Sequence, residues 1–435
     1  MRIAERRKCD VLVCGGGTAG LGAAVAAARG GARTILLERH GHCGGICVSS
    51  LVHTFDGARS CRDNSQFVVG GIPREVIARL DRLHGLALDD NPPETLNFDP
   101  EAMKRVSDHM LREAGVTVYY HLFAAEVLRE GDRVAAVIAA GKEGLWEIRP
   151  AVVIDTTGDG DVSYFAGAQF EKHSLLQTMS QHFRMGGLTG DRGWEVLEQE
   201  CRRAMDKAYA EGRAPKYGGP WLIRIRPGEI TANCTRLYGD GTKTEDLSRA
   251  EMQGRDDMVS ILEIFRHDIP DFRSAYVLVS GSEIGVRETR RIVGDYQMTA
   301  ADVLEGRSHA DPIALGSWPI DIHPADGRVG VHPHKEDPPA PYPIPLRALL
   351  VKDIANLMVA GRCLSATHEA HGSTRVSGTA MATGEACGTL AALAAKRGVG
   401  LREVPYVDLQ QQLLTQGVIL TSAGASSHNG ARRGS

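Results

Sequence analysis

The feature that most constrains this chain is the glycine-spaced turn inside "CDVLVCGGGTAGLGAAVAAARGG", residues 9–31. The apolar run Cys9–Cys14 ends directly in Gly15, Gly17 and Gly20, and an alanine-rich helix former follows as far as a glycine stop. "ARTILLER" then supplies a second apolar strand, so strand, turn, helix and strand make one βαβ unit. In a G-x-G-x-x-G turn each glycine has a task. Gly15 permits the tight turn, Gly17 lets backbone N–H groups approach a pyrophosphate, and Gly20 lets the helix pack close to the strand. Thr18 and Ala19 stand in the first turn of the helix, whose N-terminus carries partial positive charge. Glu38, 18 residues after Gly20 and at the end of the second strand, suits the acidic residue that hydrogen-bonds an adenosine ribose. The expectation is a dinucleotide-binding unit at the head of the chain.

The bulk numbers fit a globular enzyme. The 435 residues are 43% hydrophobic and 24% charged, enough for two or more domains with sizeable cores. With 50 Lys plus Arg against 54 Asp plus Glu the formal net charge is -4, and no long basic run points to nucleic acid or an anionic membrane. Nine cysteines, an odd number with no C-x-x-C pair, argue against a disulfide framework or structural zinc and for a reducing cytoplasm. The basic start and apolar run could pass for a signal peptide, but "GGGTAG" interrupts the run and a βαβ pattern continues from it. "TAMATGEACGTLAALAA" (379–395) contains Glu385 and is short and rich in small residues, so it reads as a buried helix rather than a membrane span.

Along the chain, an irregular stretch at 58–95 encloses a helix, "GIPREVIARLDRLHGL", with Pro73 in its first turn and Gly85 as its stop. A second helix, "NFDPEAMKRVSDHMLREAG", has Asp99 as N-cap before Pro100 and Gly115 at its end. Three strand-like runs then form a β-meander that returns to the nucleotide-binding sheet at "AVVIDTTGDGD". Residues 166–345 are more polar and aromatic, with helices around 193–211 and 246–267, and read as a second, α+β domain for substrate. The proline-dense 332–345 is expected to be a loop back to the first domain. The nucleotide-binding domain thus comprises 1–165 and 346–420, with the tail 421–435 disordered. The predicted class is α/β: a Rossmann-like binding domain with an inserted meander, plus the second domain.

Three features favour FAD over NAD: the Gly44–Gly45 pair just past Glu38, the meander closing on "IDTTGDGD", and the late "VAGR" at 359–362. Together they resemble the glutathione-reductase-type FAD fold. "SGSEIGVRETRRIVGDYQMTAADVLEGR" (280–307), "PIDIHP" (319–324) and "NLMVAGRCLSATHEAHGSTRVSGTAMATGEACGT" (356–389) further resemble the FAD-dependent oxidoreductase family that also contains the flavin subunit of heterodisulfide reductase. The resemblance runs from residue 9 to about 397. It implies FAD lined by Gly15, Gly17, Thr18, Ala19, Gly20, Glu38, Arg39, Gly44, Gly45, Gly158, Asp159, Gly361, Arg362 and Ser377. It also puts the N-terminus of the last long helix, after "STRVSG", near the flavin pyrimidine ring, where its dipole stabilises charge on reduced flavin.

The reacting groups are less determined. His368, Glu369 and His371 precede that helix, and His371 is the candidate acid or base. Arg287, Arg290 and Arg291 could hold a carboxylate or polarise a carbonyl; Arg287 is the candidate anchor, and at least two of the three are expected to pair with neighbouring carboxylates. Cys47 falls where the first cysteine of a flavin disulfide reductase would stand, but Val52 occupies the place of the second. Cys43 and Cys47 could pair by spacing, although nothing aims such a bond at the flavin. Asp321, His323, His332 and His334 show no regular ligand spacing, so no metal is expected; Asp159 and Asp161 read as turn residues. The expected function is two-electron, hydride oxidoreduction of a small organic substrate at flavin N5, as a dehydrogenase or oxidase. No second glycine fingerprint follows a strand, so the electron acceptor would be oxygen, a quinone or a protein. A thiol/disulfide reductase using Cys47 and a flavin electron-transfer subunit of a larger complex are the alternatives, and a homo-oligomer is possible.

Overall fold

The computed structural model describes residues 2–62, 66–87, 95–190, 192–323 and 339–421. β1 (Ile3–Cys14) leads through the glycine turn into α1 (Thr18–Arg29) and then β2 (Thr34–Glu38). Pairing runs β1 parallel to β2, Val11 opposite Thr34 through Cys14 opposite Leu37. A single helical turn, α2 (Ile46–Ser49), is followed by α3 (Gly71–Arg82) and α4 (Pro100–Ala114). The α4 start matches its sequence signals: the Asp99 side chain accepts from the Glu101 amide, Pro100 opens the first turn, and Gly115 closes it at φ 78°. That positive φ is the left-handed conformation where glycine costs least.

Next come β3 (Thr117–Tyr120), β4 (Phe123–Glu130), β5 (Arg133–Gly141) and β6 (Gly144–Asp155). The main sheet has the order β3-β2-β1-β6-β5-β4. β4, β5 and β6 are antiparallel neighbours, the meander expected from the turns, while β6 also runs parallel to β1 with Cys14 opposite Asp155. Late in the chain β15 (Leu357–Val359) joins β6 in parallel, Val359 opposite Asp155. The carboxyl ends of β1, β2, β6 and β15 therefore share one edge, the place where open α/β sheets bind nucleotides.

The short helix α5 (Asp161–Phe165) and β7 (Phe170–Glu171) lead into a four-stranded antiparallel cap sheet. Its strands are β8 (Phe183–Gly186), β9 (Trp221–Ile223), β10 (Ile230–Asn233) and β11 (Tyr276–Ser280), in the order β11-β8-β10-β9. α6 (Trp194–Ala210) and α7 (Thr244–Asp268) cover it, and a separate apolar core fills the space between, with Phe183, Met185, Phe265 and Phe272 at its centre. β12 (Arg291–Ile292), α8 (Ala300–Glu305), β13 (Pro312–Gly316) and β14 (Tyr342–Pro345) return the chain. Ile313, Leu315, Tyr342 and Ile344 from this return pack into the same core as α1. β15 (Leu357–Val359), α9 (His368–Thr374), α10 (Ser377–Arg397) and α11 (Tyr406–Thr415) complete the fold. Half of the expected 332–345 loop, 332–338, and the tail beyond 421 lie outside the described residues, as do 63–65 and 88–94 of the helical insertion; the end of that loop is instead strand β14, paired with β13.

α10 is buried over nearly its whole length. It can be, because it and α1 meet through glycines. A Cβ on Gly384 would stand 2.0 Å from the Ala19 carbonyl oxygen, one on Gly388 2.1 Å from that of Ala23, and one on Gly22 2.4 Å from that of Met381. This backbone-to-backbone contact brings the N-termini of α1 and α10 to the same edge of the sheet. Among the described residues no helix is long and apolar enough to cross a membrane.

Candidate active site

A groove with about 1040 Å³ of atom-free space, counted out to its open mouth, runs along that edge. Its floor is the glycine turn. Gly15 has φ +102°, and a Cβ there would come within 2.5 Å of the Thr156 carbonyl oxygen; a Cβ on Gly20 would stand 1.8 Å from the Gly15 oxygen. Gly20 thus holds the turn shut from behind and does not line the groove, whereas Gly15, Gly17, Thr18 and Ala19 do. The helix cap, Gly17, supplies no side-chain acceptor and the first turn of α1 has no acidic residue. Among the described residues no hydrogen bond uses the amides of Thr18 or Ala19. Free amides at a helix N-terminus with nothing but space before them fit a pyrophosphate.

Glu38, at the end of β2, lines the same groove. Its carboxylate accepts from the amide of Gly16 at 2.6 Å and that of His40 at 2.7 Å, and each oxygen keeps a lone pair for a ribose hydroxyl. The second glycine turn rests on the first: the Gly44 amide donates to the Gly16 oxygen at 2.8 Å, and a Cβ on Gly45 would lie 2.8 Å from the Gly17 Cα. Arg39 lines the groove from a half-exposed position, its guanidinium bound to Glu283, which also takes a bond from Ser49 Oγ at 2.7 Å. On the opposite wall Asp155 holds the "TTGDGD" turn, accepting from Thr157 and from both the amide and hydroxyl of Ser163.

Gly158, Gly361 and Arg362 all line the groove, and a Cβ on Gly158 would sit 2.8 Å from the Arg362 guanidinium. Asp159 behaves differently. It is turned back onto Arg362 at 2.7 Å and Thr289 Oγ1 at 2.7 Å, and Asp161 lines the groove in its place. Burial, reinforced by the carboxylates of Asp159 and Asp155, raises Asp161 to about 6 against the pull of Arg290. The far end of the groove is formed by Arg375, Ser377 and Ala380 at the start of α10. No side chain caps that helix and no acid stands in its first turn, so its dipole faces the groove uncompensated. Leu37, Ile46, Leu122, Phe123 and Ala124 complete the walls. No motif marks these apolar residues, whose only signal is adjacency to a strand end.

The three candidate reacting residues lie beyond the walls, in different settings. His371 in α9 is 1% exposed, and among the described residues neither ring nitrogen has a hydrogen-bond partner. Burial pushes it down to about 3, opposed by the nearby Glu288 carboxylate and reinforced by Arg375, Arg291 and Arg362. It is therefore a neutral imidazole beside Arg362 and Arg375, two of the arginines that line the groove. Glu288 is itself held by His368 Nδ1 at 2.8 Å and by Arg291. Arg290 pairs with Asp161 at 2.8 Å, so two of the three neighbouring arginines are tied to carboxylates and Arg287 is not. Cys47 is fully buried in the apolar core, with its thiol pushed up to about 12 by that burial. Cys43 is equally buried, its Sγ next to Gly16 and the Tyr120 hydroxyl, and both sulfurs are free thiols.

Asp321 and His323 bond each other at 3.1 Å, and Arg375 joins Asp321 at 3.0 Å. Among the described residues no group of three or more such side chains could hold a metal ion; His332 and His334 lie outside them.

No curated protein matches the sequence. Solved structures match over most of the chain at low identity. A geranylgeranyl bacteriochlorophyll reductase-like protein from Thermoplasma acidophilum is 14% identical, with 94% of this chain and 83% of that one covered and a TM-score of 0.46. A p-nitrophenol 4-monooxygenase from Pseudomonas putida is 15% identical, with 97% and 88% covered and a TM-score of 0.46. The flavin-dependent brominase Bmp2 is 13% identical, with 93% and 83% covered and a TM-score of 0.49. The family profile described as FAD dependent oxidoreductase matches residues 10–413, and the chain belongs to that family.

Proposed function

We propose that this FAD-dependent oxidoreductase is a dehydrogenase or oxidase that removes two electrons from a small organic substrate. The substrate would bind at the Arg375–Ser377 end of the groove, between the flavin-binding half and the cap sheet. FAD, when bound, supplies the two-electron acceptor at N5; the chain supplies position and the proton's destination. One observation carries the reading: among the described residues His371, nine-tenths and more buried, keeps both ring nitrogens without a partner beside Arg362 and Arg375 of the groove wall. A buried polar group without a partner is costly, and functional sites are where such groups persist.

The reaction divides into two transfers. FAD held along the glycine turns and Glu38 would supply the hydride acceptor, and the proton of the substrate's O–H or N–H would pass to a neutral ring nitrogen of His371. The Glu288 carboxylate, held by His368 and Arg291, stabilises the imidazolium so formed. The open N-terminus of α10, at Ser377, offsets negative charge where electrons arrive. The reoxidant is external, oxygen, a quinone or a protein, because the chain carries no second nucleotide fingerprint.

The test is anaerobic bleaching of the visible flavin band by a panel of alcohols, amines, hydroxy acids and thiols. One class should reduce the flavin. His371→Asn should retain FAD and slow that reduction by about 10²- to 10⁴-fold. Because wild-type His371 is already neutral near pH 6.5, its reductive rate should show no limb there. Retained FAD with less than about tenfold loss of rate in the variant would remove His371 from the mechanism.

A further inference from the structure

We propose that the substrate is an organic carboxylate, bound by the free edge of the Arg287 guanidinium between the cap sheet and the flavin-binding half. The inference rests on the oxidoreductase reading above and names its substrate class. Arg287 is 9% exposed and reaches inward from the loop between β11 and β12. Its Nη1 donates to the Thr178 carbonyl at 2.7 Å and to Ser180 Oγ at 2.8 Å, and Nη2 reaches Asn233 Oδ1 at 3.4 Å. All three acceptors are neutral, and among the described residues Nε is in no hydrogen bond and no carboxylate lies within ion-pair distance. A guanidinium has five N–H donors, so the parallel Nε–Nη2 edge is the part left open.

The surroundings of this edge are positively charged. Arg236 stacks on Trp221, its Cζ 5.1 Å from the ring centre, and among the described residues its one hydrogen bond goes to the Thr235 carbonyl. Arg375 adds a third guanidinium, with its Nε buried and unpartnered. The charges of Arg236 and Arg375 both bear on Arg287, after burial itself, and Asp321 is the carboxylate that opposes them. The histidines here add nothing positive: burial holds His53 and His182 neutral, each at about 3. Among the described residues, three guanidiniums against one carboxylate leave an excess of positive charge out of water, which an anion would complete. The Nε–Nη2 edge of an arginine matches the two oxygens of a planar carboxylate. Arg375 also connects this cluster to the chemistry, since it lines the groove and its charge acts on both Arg287 and His371.

The experiment uses the FAD-loaded protein and four probes: malonate and benzoate, their neutral amides, inorganic phosphate, and sulfate. Binding is read as a shift of the visible flavin band and as a rise in melting temperature. The acids should bind saturably and the amides should not, and affinity should fall as salt is raised. Arg287→Gln should weaken malonate by at least about tenfold with FAD content unchanged. Arg236→Gln should weaken it less. Equal binding of acids and amides, or an unchanged malonate affinity in Arg287→Gln, overturns the proposal. Phosphate or sulfate binding without carboxylate binding overturns it in favour of a tetrahedral anion. Should Arg287→Gln not fold, Arg236→Gln decides: an unchanged malonate affinity in that variant is equally fatal. A flavin bleached by a neutral substrate while the acids fail to bind sinks this proposal alone. Acids that bind through Arg287 in a protein no reductant class bleaches sink the redox reading and leave the anion site standing.

Discussion

Cys47 shows how far a residue's surroundings can override its position in sequence. It stands four residues past Cys43, beside a flavin-type glycine pair, yet its sulfur is fully enclosed and burial lifts its thiol to about 12. A thiolate is the reactive form, and this environment suppresses it. Eight of the nine cysteines are buried free thiols and Cys61 is partly accessible, its Sγ donating to the Ser317 carbonyl. Native protein should therefore present about one readily titrated thiol, and nine after denaturation. Mild reduction before titration should add none. Two extra thiols released by reduction would restore the disulfide reductase reading. Spacing could place Cys47 near the flavin but could not say which way its side chain faced. The same limit applies to Asp159 and Asp161: both sit in one turn, and the fold pairs Asp159 with Arg362 while Asp161 lines the groove.

Between elements, the contact of α1 with α10 positions the site, because it sets two helix N-termini on one groove. Gly388→Ala tests it. Alanine is favoured over glycine within a helix by roughly 0.5 to 1 kcal/mol. Here the added methyl would stand 2.1 Å from the Ala23 carbonyl oxygen, so the helices must separate. Overpacking of that kind costs about 1 to 3 kcal/mol or more, so the steric term wins. The variant should melt at a lower temperature and bind FAD more weakly, whereas Gly398→Ala, whose Cβ would meet nothing within 4 Å, should hold FAD as the wild type does. Unchanged FAD affinity in Gly388→Ala would show that the contact does not set the groove. The βαβ unit, the α4 cap and the meander were legible in sequence because each is written in adjacent residues: glycine spacing, Asp99 before Pro100, turns between apolar runs. The α1–α10 contact joins residues more than 350 apart, and neither Gly384 nor Gly388 announces its partner. Arg375 escaped notice for the same reason, since its importance comes from Asp321, Arg287 and the groove meeting around it.

Across the whole molecule, the buried imidazoles couple stability to pH. His53, His182, His323 and His371 are each lowered by burial to about 3. Their unfolded-state values lie near 6.5. A depressed pKa means the unfolded chain takes up protons that the folded protein refuses, so this stability is complete above pH 6.5 and is lost progressively as pH falls toward 3. Two carboxyls act oppositely. Burial raises Glu385 to about 8 and Asp161 to about 6, so the folded state holds their protons where the unfolded chain releases them. Between roughly pH 4.5 and 6 the four histidines outweigh the two acids, and the unfolded state binds a net excess of about two protons. Stability should then fall by about 3 kcal/mol for each pH unit of acidification in that window. Below it the loss should steepen, because Glu283 and Glu288, both held at about 2 in the fold, begin to protonate in the unfolded chain. Urea midpoints taken with saturating FAD from pH 7.5 down to 4.5 measure this directly. A midpoint that held constant or rose on acidification would mean that the imidazoles are solvated in solution, and the neutral His371 on which the proton transfer depends would be lost with them.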